Sequence, residues 1–255
     1  MAVTIAVTNQ KGGVGKTTTA VNVAYFLAKE GKRTLLIDFD PQGNATSGLG
    51  VDKQQAAVTV SEVVLGQASL AEAVQRTEYK NLSLVVSTPH LANTEVDLAN
   101  VEGKFVRLQR AVQAVADEYD YIIIDSPPSL SLLTVNGLIA ANYVLLPVQA
   151  EFYALEGLGQ LLETMKLIRK GLNPRLELLG VLATMMDTRT TLSGQVHAEV
   201  KKHFPDKIFE TTIPRNIRLA EAPSHGLPIG VYDRFSKGAR AYKALVKEII
   251  ERIGQ

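Results

Sequence analysis

The stretch Asn9–Thr18, with the sequence NQKGGVGKTT, decides the fold of this chain. The apolar run Val3–Val7 precedes it and is predicted to be a buried strand, and Thr19–Lys29 follows it with the composition of a helix. A strand, a glycine-rich loop, a Lys-Thr pair and a helix in this order predict a P-loop, which is a backbone cradle for phosphate. The glycines let several N–H groups point at one anion, and the helix N-terminus adds a partial positive charge.

Two side chains of this loop have predicted chemical roles. Lys16 can reach the β- and γ-phosphates of a nucleotide, and the hydroxyl of Thr17 can ligate Mg²⁺. The usual pattern G-x-x-x-x-G-K-[ST] has glycine where this chain has Gln10, so Gly12 and Gly13 are expected to supply the flexibility. The alternative is a glycine-rich turn with incidental lysines. The Lys-Thr pair at a strand-to-helix junction argues against that alternative.

Composition limits the classes of function. With 255 residues, of which 46% are hydrophobic and 21% charged, the chain suits a globular α/β domain rather than a disordered segment. The absence of cysteine excludes disulfides, thiol catalysis and iron–sulfur clusters. The chain shows neither a run of 18 apolar residues nor a secretory leader, so a cytoplasmic protein is expected. Residues 187–255 hold 12 Lys and Arg against 8 Asp and Glu, which is compatible with a polyanionic partner.

Two further apolar runs end in carboxylates. Arg33–Asp40 is predicted to be a buried strand that ends in Asp38 and Asp40, and Tyr121–Ile124 a second strand that ends in Asp125. The carboxyl ends of parallel strands meet where ligands bind in open α/β sheets. Asp40 is suited to orient a water on a γ-phosphate, and Asp125 is suited to hold Mg²⁺ or its waters. Asp38 has two interpretations, a functional carboxylate or a structural hydrogen-bond acceptor.

The remaining periodicity predicts alternating strands and helices. Further strands are expected at 82–86, 143–148 and 176–184, and helices at 59–75 (two short ones), 91–98, 103–118, 155–170, 196–204 and 237–253. This alternation predicts an α/β fold in a single domain, 1–255, with a doubly wound, mostly parallel sheet and helices on both faces. The helix over 237–253 has a polar face of mixed charge, which favours packing on the core over binding to a membrane surface. The inner face of the helix over 103–118 is expected to comprise Phe105, Leu108, Val112 and Val115.

Taken together, these motifs resemble the ParA/MinD group of ATPases, whose variant P-loop carries an extra lysine, here Lys11. The segments similar to that group's deviant Walker A, switch I and switch II are Lys11–Thr18, Asp38–Thr46 and Asp125–Pro128. Two segments are similar to the chromosomal ParA (Soj) branch, Glu151–Gly157 and Ile213–Gly226.

The resemblance implies ATP and Mg²⁺ as cofactors and a role for each motif residue. Lys16 would bind the β- and γ-phosphates, Thr17 would ligate Mg²⁺, and Asp125 would hold it through water. Asp40 would position the attacking water, and Lys11 would reach across a two-fold dimer to the partner's nucleotide, so Lys11, Lys16 and Asp40 form the implied catalytic set. The implied nucleotide-contacting residues are Lys11, Gly12, Gly13, Val14, Gly15, Lys16, Thr17 and Thr18 around the phosphates and Pro214 and Asn216 against the adenine. A turn asparagine without a ligand is the simpler interpretation of Asn216.

The function implied is an ATP-dependent dimerisation switch. ATP would close a homodimer that binds non-specific DNA through Arg189 and Arg218, although two solvated surface arginines are the simpler interpretation of that pair. A ParB-type centromere-binding partner would stimulate a weak ATPase and so drive chromosome or plasmid segregation. The expected location is the cytoplasm, on the nucleoid, without stable membrane binding.

Three other functions are considered. A MinD-like membrane-associated ATPase for division-site placement needs a basic amphipathic tail, and the sequence given ends in Glu251–Gln255 without one. An electron-transfer ATPase of the nitrogenase iron-protein type needs cysteines, which are absent. A small-molecule kinase or synthetase on the same scaffold stays open.

Overall fold

A computed structural model of the chain describes residues 1–150, 158–187 and 190–254. Its strands are β1 (Val3–Val7), β2 (Thr34–Asp38), β3 (Val74–Arg76), β4 (Leu82–Val85), β5 (Tyr121–Asp125), β6 (Tyr143–Gln149) and β7 (Glu177–Thr184). They form one sheet in the order β3-β4-β2-β5-β1-β6-β7. Every neighbouring pair is parallel except β3 and β4, which pair antiparallel at one edge. The predicted doubly wound, mostly parallel sheet is confirmed.

The helices lie on both faces of this sheet. They are α1 (Lys16–Lys29), α2 (Asn44–Gly48), α3 (Val60–Leu65), α4 (Leu70–Ala73), α5 (His90–Leu98), α6 (Arg107–Val115), α7 (Leu132–Ala140), α8 (Leu158–Gly171), α9 (Thr191–His203), α10 (Ile217–Glu221), α11 (Ile229–Tyr232) and α12 (Lys237–Gly254). Two short 3₁₀ turns span Lys53–Gln55 and Ala222–His225.

The central strand β5 shows how the two layers form. Successive side chains of a strand point to opposite faces, so Ile123 packs with α1 and α12, whereas Ile122 and Ile124 pack with α3 to α6. All five residues of β5 are buried, as expected for a parallel strand covered on both sides. The apolar composition of this strand therefore follows from its central position.

The last helix packs on the core, as predicted from its mixed-charge outer face. Tyr242, Leu245 and Ile249 of α12 are buried in the same cluster as the apolar side of α1. The hydroxyls of Tyr242 and Thr19 share a hydrogen bond of 3.1 Å. The apolar face of α12 is thus occupied within the domain. No described helix combines the length and apolar character that crossing a bilayer requires.

One local prediction is wrong, and a second, the two short helices within 59–75, is confirmed with an earlier end. The helix predicted over 103–118 begins only at Arg107, because the chain turns at Gly103, whose φ is +69°. Phe105 therefore lies before α6 and is 41% exposed instead of facing inward. The second short helix predicted within 59–75 ends at Ala73, since Val74–Arg76 pairs with β4 as an edge strand. In both cases a tertiary contact or a turn overrides the local helical periodicity.

Candidate nucleotide-binding site

The register of the sheet brings the P-loop and the strand-end carboxylates together. Val7, the last residue of β1, pairs with Asp125 of β5, and Asp125 pairs in turn with Asp38 of β2. The P-loop leaves β1 at this point, and Asp40 follows two residues after Asp38. All three carboxylates are buried, with Asp40 6% exposed and the other two fully covered. The expected convergence of these groups at one edge of the sheet is confirmed.

The glycines of the loop adopt conformations that other residues rarely take. Gly13 and Gly15 have φ of +75° and +86°, and Gly15 is the N-cap of α1. Gln10 stands where the usual pattern has glycine. Among the described residues the non-glycine residues with positive φ are Asn81 and Met185, so Gln10 has an ordinary backbone. The missing glycine therefore causes no backbone strain.

Hydrogen bonds to β6 and β7 hold the loop in place. The amide nitrogen of Asn9 donates to the carbonyl of Pro147 in β6 at 2.7 Å, and its oxygen accepts from the N–H of Lys11 at 3.0 Å. The hydroxyl of Thr184, at the end of β7, donates to the carbonyl of Val14 at 2.8 Å. The side chain of Val14 is buried, so this residue offers the site only its backbone. The sequence analysis missed Asn9 and Thr184 as anchors of the loop.

Lys16 is held inside the loop before any nucleotide is bound. Its Nζ donates to the carbonyl of Lys11 at 2.9 Å, and the residue is 6% exposed. Burial lowers the pKa of Lys16, whereas the charges of Asp125 and Asp40 act in the opposite direction. The ammonium group of Lys16 therefore lies where a phosphate could replace the carbonyl of Lys11 as its hydrogen-bond partner.

A cavity of about 300 Å³ opens over the loop. The loop residues that line it are Gly12, Gly13, Gly15, Lys16, Thr17 and Thr18. Asp40 of switch I and Pro128 of switch II also line this cavity. The structure thus gathers most of the implied phosphate-binding residues and the implied water-positioning carboxylate around one space.

A second cavity of about 560 Å³ shares Gly15, Thr18 and Met185 with the first. It is lined further along by Pro214 and Asn216, the two residues implied to contact adenine. It is larger and more apolar than the first, which suits a planar base. The two cavities together have the layout of a nucleotide, with phosphates over the loop and the base beside residues 213–219.

Asn216 caps the helix that lies beside the second cavity. Its side-chain oxygen accepts from the N–H of Arg218 at 2.9 Å and so caps α10. An amide oxygen can accept two hydrogen bonds, so this cap leaves both the oxygen and the N–H₂ of Asn216 able to face a base. The implied contact of Asn216 with adenine stays a prediction.

Met185 lines both cavities, and no local sequence pattern marks it. Its φ of +53° is a conformation that a side chain of this size rarely adopts. The hydrogen bond from Met186 N to Ile213 O, 3.0 Å, fixes the chain directly after it. Strained backbone of this kind is concentrated at binding sites, where the surrounding structure holds it. Met185 is therefore a candidate contact for a ligand of these cavities.

Asp125 has the properties of a metal ligand. Both its carboxylate oxygens are buried and lack a hydrogen-bond partner among the described residues. Burial raises the pKa of Asp125 well above its usual value, and the neighbouring charge of Asp38 raises it further. The nearby Thr17 hydroxyl lowers this pKa without completing a hydrogen bond of good geometry. An orphaned carboxylate beside a hydroxyl fits Mg²⁺, which proteins hold through one or two such oxygens together with substrate phosphates.

Asp38 is a structural acceptor in this arrangement. One of its oxygens accepts from both the N–H and the hydroxyl of Thr46, each at 2.7 Å. Its other oxygen accepts from the N–H of Asp40 at 3.3 Å. Burial raises the pKa of Asp38 to about 6, although the bonds from Thr46 act against this rise. Of the two interpretations of Asp38, the structure shows the one in which it holds switch I.

The buried pair Asp38 and Asp125 should make the nucleotide-free protein less stable as the pH rises through about 6. Their pKa values in the folded protein lie above the usual 3.8, so the folded state binds more protons than the unfolded chain between these values. The free energy of unfolding therefore falls across this window, by on the order of 1–3 kcal/mol. Urea unfolding without Mg²⁺ at several pH values from 4 to 8 measures the change.

The matched variants for this measurement are Asp125→Asn and Asp117→Asn. The first removes one buried carboxylate, so its pH dependence should be shallower than that of the wild type. The second alters a surface carboxylate that is 91% exposed and should leave the dependence unchanged. Equal slopes in the wild type and Asp125→Asn would contradict the assignment.

Arg218 lies on α10, beside the second cavity. Its guanidinium pairs with Glu221 at 3.0 Å and with Asp233 at 3.6 Å, and its side chain is 55% exposed. Exposed ion pairs of this kind contribute about 0–1 kcal/mol, so the phosphates of a polyanion can replace them. Arg189, the other implied DNA-binding residue, lies outside the described residues, as does Glu151–Gly157.

Comparison with known proteins identifies the family. Residues 2–178 match the sequence model of the AAA domain family. The sporulation initiation inhibitor protein Soj of Bacillus subtilis is 54% identical over 245 residues, which are 96% of this chain and 97% of that protein. The chromosome partitioning protein ParA of Myxococcus xanthus is 50% identical over 248 residues, which are 97% of this chain and 88% of that protein.

A solved structure has the same fold over the whole length of this chain. The cobyrinic acid a,c-diamide synthase of Mycobacterium smegmatis, with bound ADP and magnesium, superposes with a TM-score of 0.88 at 37% identity. The match covers 100% of this chain and 96% of that one. Given its identity to Soj and ParA over nearly its whole length, this chain belongs to the Soj/ParA family of chromosome-partitioning ATPases.

Proposed function

We propose that this protein is an ATP-dependent dimerisation switch that binds DNA non-specifically and drives the segregation of chromosomal or plasmid DNA. The observation that carries the proposal is that Lys16 and Asp40 line one cavity, with the buried Asp125 at the end of the neighbouring strand β5, in a chain so similar to Soj and ParA. The proposed biological process, DNA segregation, comes from the names of these relatives. The proposed ATP chemistry comes from the residues around the cavity.

Each group in the cavity has a distinct task in ATP hydrolysis. The N–H groups of the loop and the ammonium of Lys16 bind the β- and γ-phosphates. Thr17 and Asp125 hold Mg²⁺, which when bound neutralises charge on the phosphate oxygens. Asp40 accepts a hydrogen bond from the attacking water and so orients it towards the γ-phosphate. Pro214 and the side-chain amide of Asn216 contact the base in the second cavity.

The switch requires a second copy of the chain. Lys11 at the start of the loop reaches the nucleotide of the partner in the ATP-bound homodimer, so that the dimer forms with ATP and separates after hydrolysis. A ParB-type centromere-binding protein accelerates a slow intrinsic hydrolysis and thereby releases the DNA. The protein then acts in the cytoplasm on the nucleoid. Light scattering with ATP and with ADP tests the first step.

A membrane-bound MinD-like role is the less favoured alternative. The apolar face of α12 is buried against α1, so within the described residues this helix offers no apolar surface to a membrane. Pelleting of anionic lipid vesicles with the protein and ATP distinguishes the two. We expect the protein to stay in the supernatant.

The arginine variant Arg218→Glu should strongly weaken ATP-dependent DNA binding while leaving ATP hydrolysis without DNA unchanged. One phosphate contact per protomer becomes a repulsion, so the dimer loses two contacts. The slope of the logarithm of the binding constant against that of salt concentration should fall by about 2, since each contact releases about one counterion. Fluorescence anisotropy with a random-sequence duplex at several salt concentrations measures both effects.

The control for this variant is Arg76→Glu. Arg76 is exposed on β3, at the sheet edge opposite to β7. Its replacement by glutamate changes the net charge by the same amount as Arg218→Glu. A general electrostatic effect would weaken DNA binding equally in the two variants. Normal DNA binding by Arg218→Glu would show that the proposed DNA surface is wrong.

A further inference from the structure

One buried serine contacts switch I at three points. Ser87 lies two residues after β4 and is fully buried. Its hydroxyl donates to the carbonyl of Asp40 at 2.7 Å, and its N–H donates to the hydroxyl of Thr46 at 3.2 Å. Its carbonyl oxygen lies so close to Gly43 that a Cβ there would come within 2.7 Å of it. The beginning, middle and end of this segment therefore contact a single residue, which follows the neighbouring strand β4.

The contacts of Ser87 belong to a closed hydrogen-bond network. The Thr46 hydroxyl that accepts from Ser87 also donates to Asp38, and Asp38 accepts from the N–H of Asp40. The carboxylate of Asp40 is fixed within the same turn, because one oxygen accepts from the N–H of Gln42 at 2.9 Å. Buried networks with every member bonded are rigid, since each broken bond leaves a polar group without water.

We propose that Ser87 is a positioning residue for ATP hydrolysis, acting through the backbone of Asp40. The inference rests on the proposed function, in which the Asp40 carboxylate orients the attacking water. Ser87 itself does not line the cavity over the P-loop. Its hydroxyl fixes the Asp40 carbonyl, and the backbone so fixed sets where the carboxylate points. Water attack depends steeply on this placement, because an error of about 1 Å can cost about a hundredfold in rate.

The test is the steady-state kinetics of Ser87→Ala. We expect kcat to fall about tenfold, as for a partial misplacement of the water-orienting group. The KM for ATP should change less than about twofold, because the contacts of the P-loop with the phosphates are untouched. Ser87→Thr keeps the hydroxyl and should restore most of kcat.

The matched control is Ser61→Ala. Ser61 is also fully buried, and its hydroxyl has no hydrogen-bond partner among the described residues. Its removal therefore deletes the same atom in a similar environment without touching switch I, and kcat should not change.

The outcomes separate this inference from the proposed function. If wild type hydrolyses ATP and Ser87→Ala has the kcat of Ser61→Ala, the positioning role is wrong and the proposed function stands. A parallel loss of kcat, ATP affinity and melting temperature in both Ser87→Ala and Ser87→Thr would mean a merely structural role. A wild type that never hydrolyses ATP would overturn the proposed function together with the inference.

Discussion

The variant Asp40→Ala should bind ATP nearly as well as the wild type and hydrolyse it at least about a hundredfold more slowly, the usual loss when a positioned proton acceptor is removed. Asp40 lines the cavity over the P-loop together with Lys16 and is almost fully buried. Its loss removes the group that orients the water and leaves the phosphate contacts of the loop in place. Single-turnover hydrolysis of labelled ATP measures the rate, and equilibrium binding measures the affinity.

The oligomeric state gives a second and independent readout of Asp40→Ala. If hydrolysis separates the dimer, a protein that binds ATP without hydrolysing it should accumulate as a dimer. Light scattering should therefore show a dimer with ATP and a smaller species with ADP. A persistent monomer with ATP would contradict the proposed switch, even if the hydrolysis rate falls as expected.

One control variant shows whether the effect of Asp40 arises from its charge or from its structure. Asp40→Asn keeps an oxygen that can accept from the N–H of Gln42, so it preserves the turn and removes the charge. We expect it to be nearly as slow as Asp40→Ala. The negative charge of Asp40 also raises the pKa values of Asp38 and Asp125, so its removal should not destabilise the nucleotide-free protein. A lower melting temperature for Asp40→Asn would instead indicate a structural role.

The parts of the site that the sequence predicts are those with a local pattern. A glycine-rich loop between an apolar run and a helix specifies the phosphate cradle, because conformation and hydrogen-bond donors come from adjacent residues. An apolar run that ends in aspartate places Asp125 at the carboxyl end of a buried strand. Parallel pairing then brings that carboxylate beside the loop, as the register of β1 and β5 shows. These inferences need only the alternation of strands and helices.

The parts that the sequence does not predict depend on contacts between distant segments. Asn9 bonds to a residue 138 positions away, Thr184 to one 170 away, and Ser87 to Asp40, 47 away. Polar residues at strand ends are common, so nothing local marks these three as anchors. Met185 is similar, since its positive φ results from the packing around it and not from its own preference. Local sequence patterns therefore indicate the residues proposed to bind and hydrolyse the nucleotide. They do not indicate most of the residues that hold these groups in position.

The two lysines of the loop should fail in different ways, and this is the second large effect that we expect. Lys16→Ala should weaken ATP binding at least about a hundredfold, because it removes charge-assisted hydrogen bonds to two phosphates. Lys11→Ala should leave ATP binding by the monomer nearly intact, because the backbone N–H and carbonyl of Lys11 that shape the loop remain. It should nevertheless prevent the ATP-dependent dimer, since the proposed role of its side chain lies in the partner's site.

The control for the first lysine is Lys16→Gln. Removing Lys16 leaves the Lys11 carbonyl without its donor and the carboxylates of Asp40 and Asp125 without a nearby cation, so Lys16→Ala should also lower the stability of the nucleotide-free protein. Glutamine can still donate to that carbonyl. A Lys16→Gln protein that melts like the wild type and binds ATP as poorly as Lys16→Ala would place the loss of affinity on the charge.

Measuring ATP affinity and mass together for Lys11→Ala and Lys16→Ala decides between a simple nucleotide site and a shared one. If the site is complete within one protomer, a variant should lose the dimer only because it binds less ATP. A plot of the dimer fraction against the fraction of protein with bound ATP would then place both variants on one curve. If the site is shared, Lys11→Ala should lie below that curve, because it binds ATP but does not form the dimer. Normal dimerisation of Lys11→Ala at saturating ATP would contradict the cross-dimer contact. The side chain of Lys11 would then not be needed for the ATP-dependent dimer.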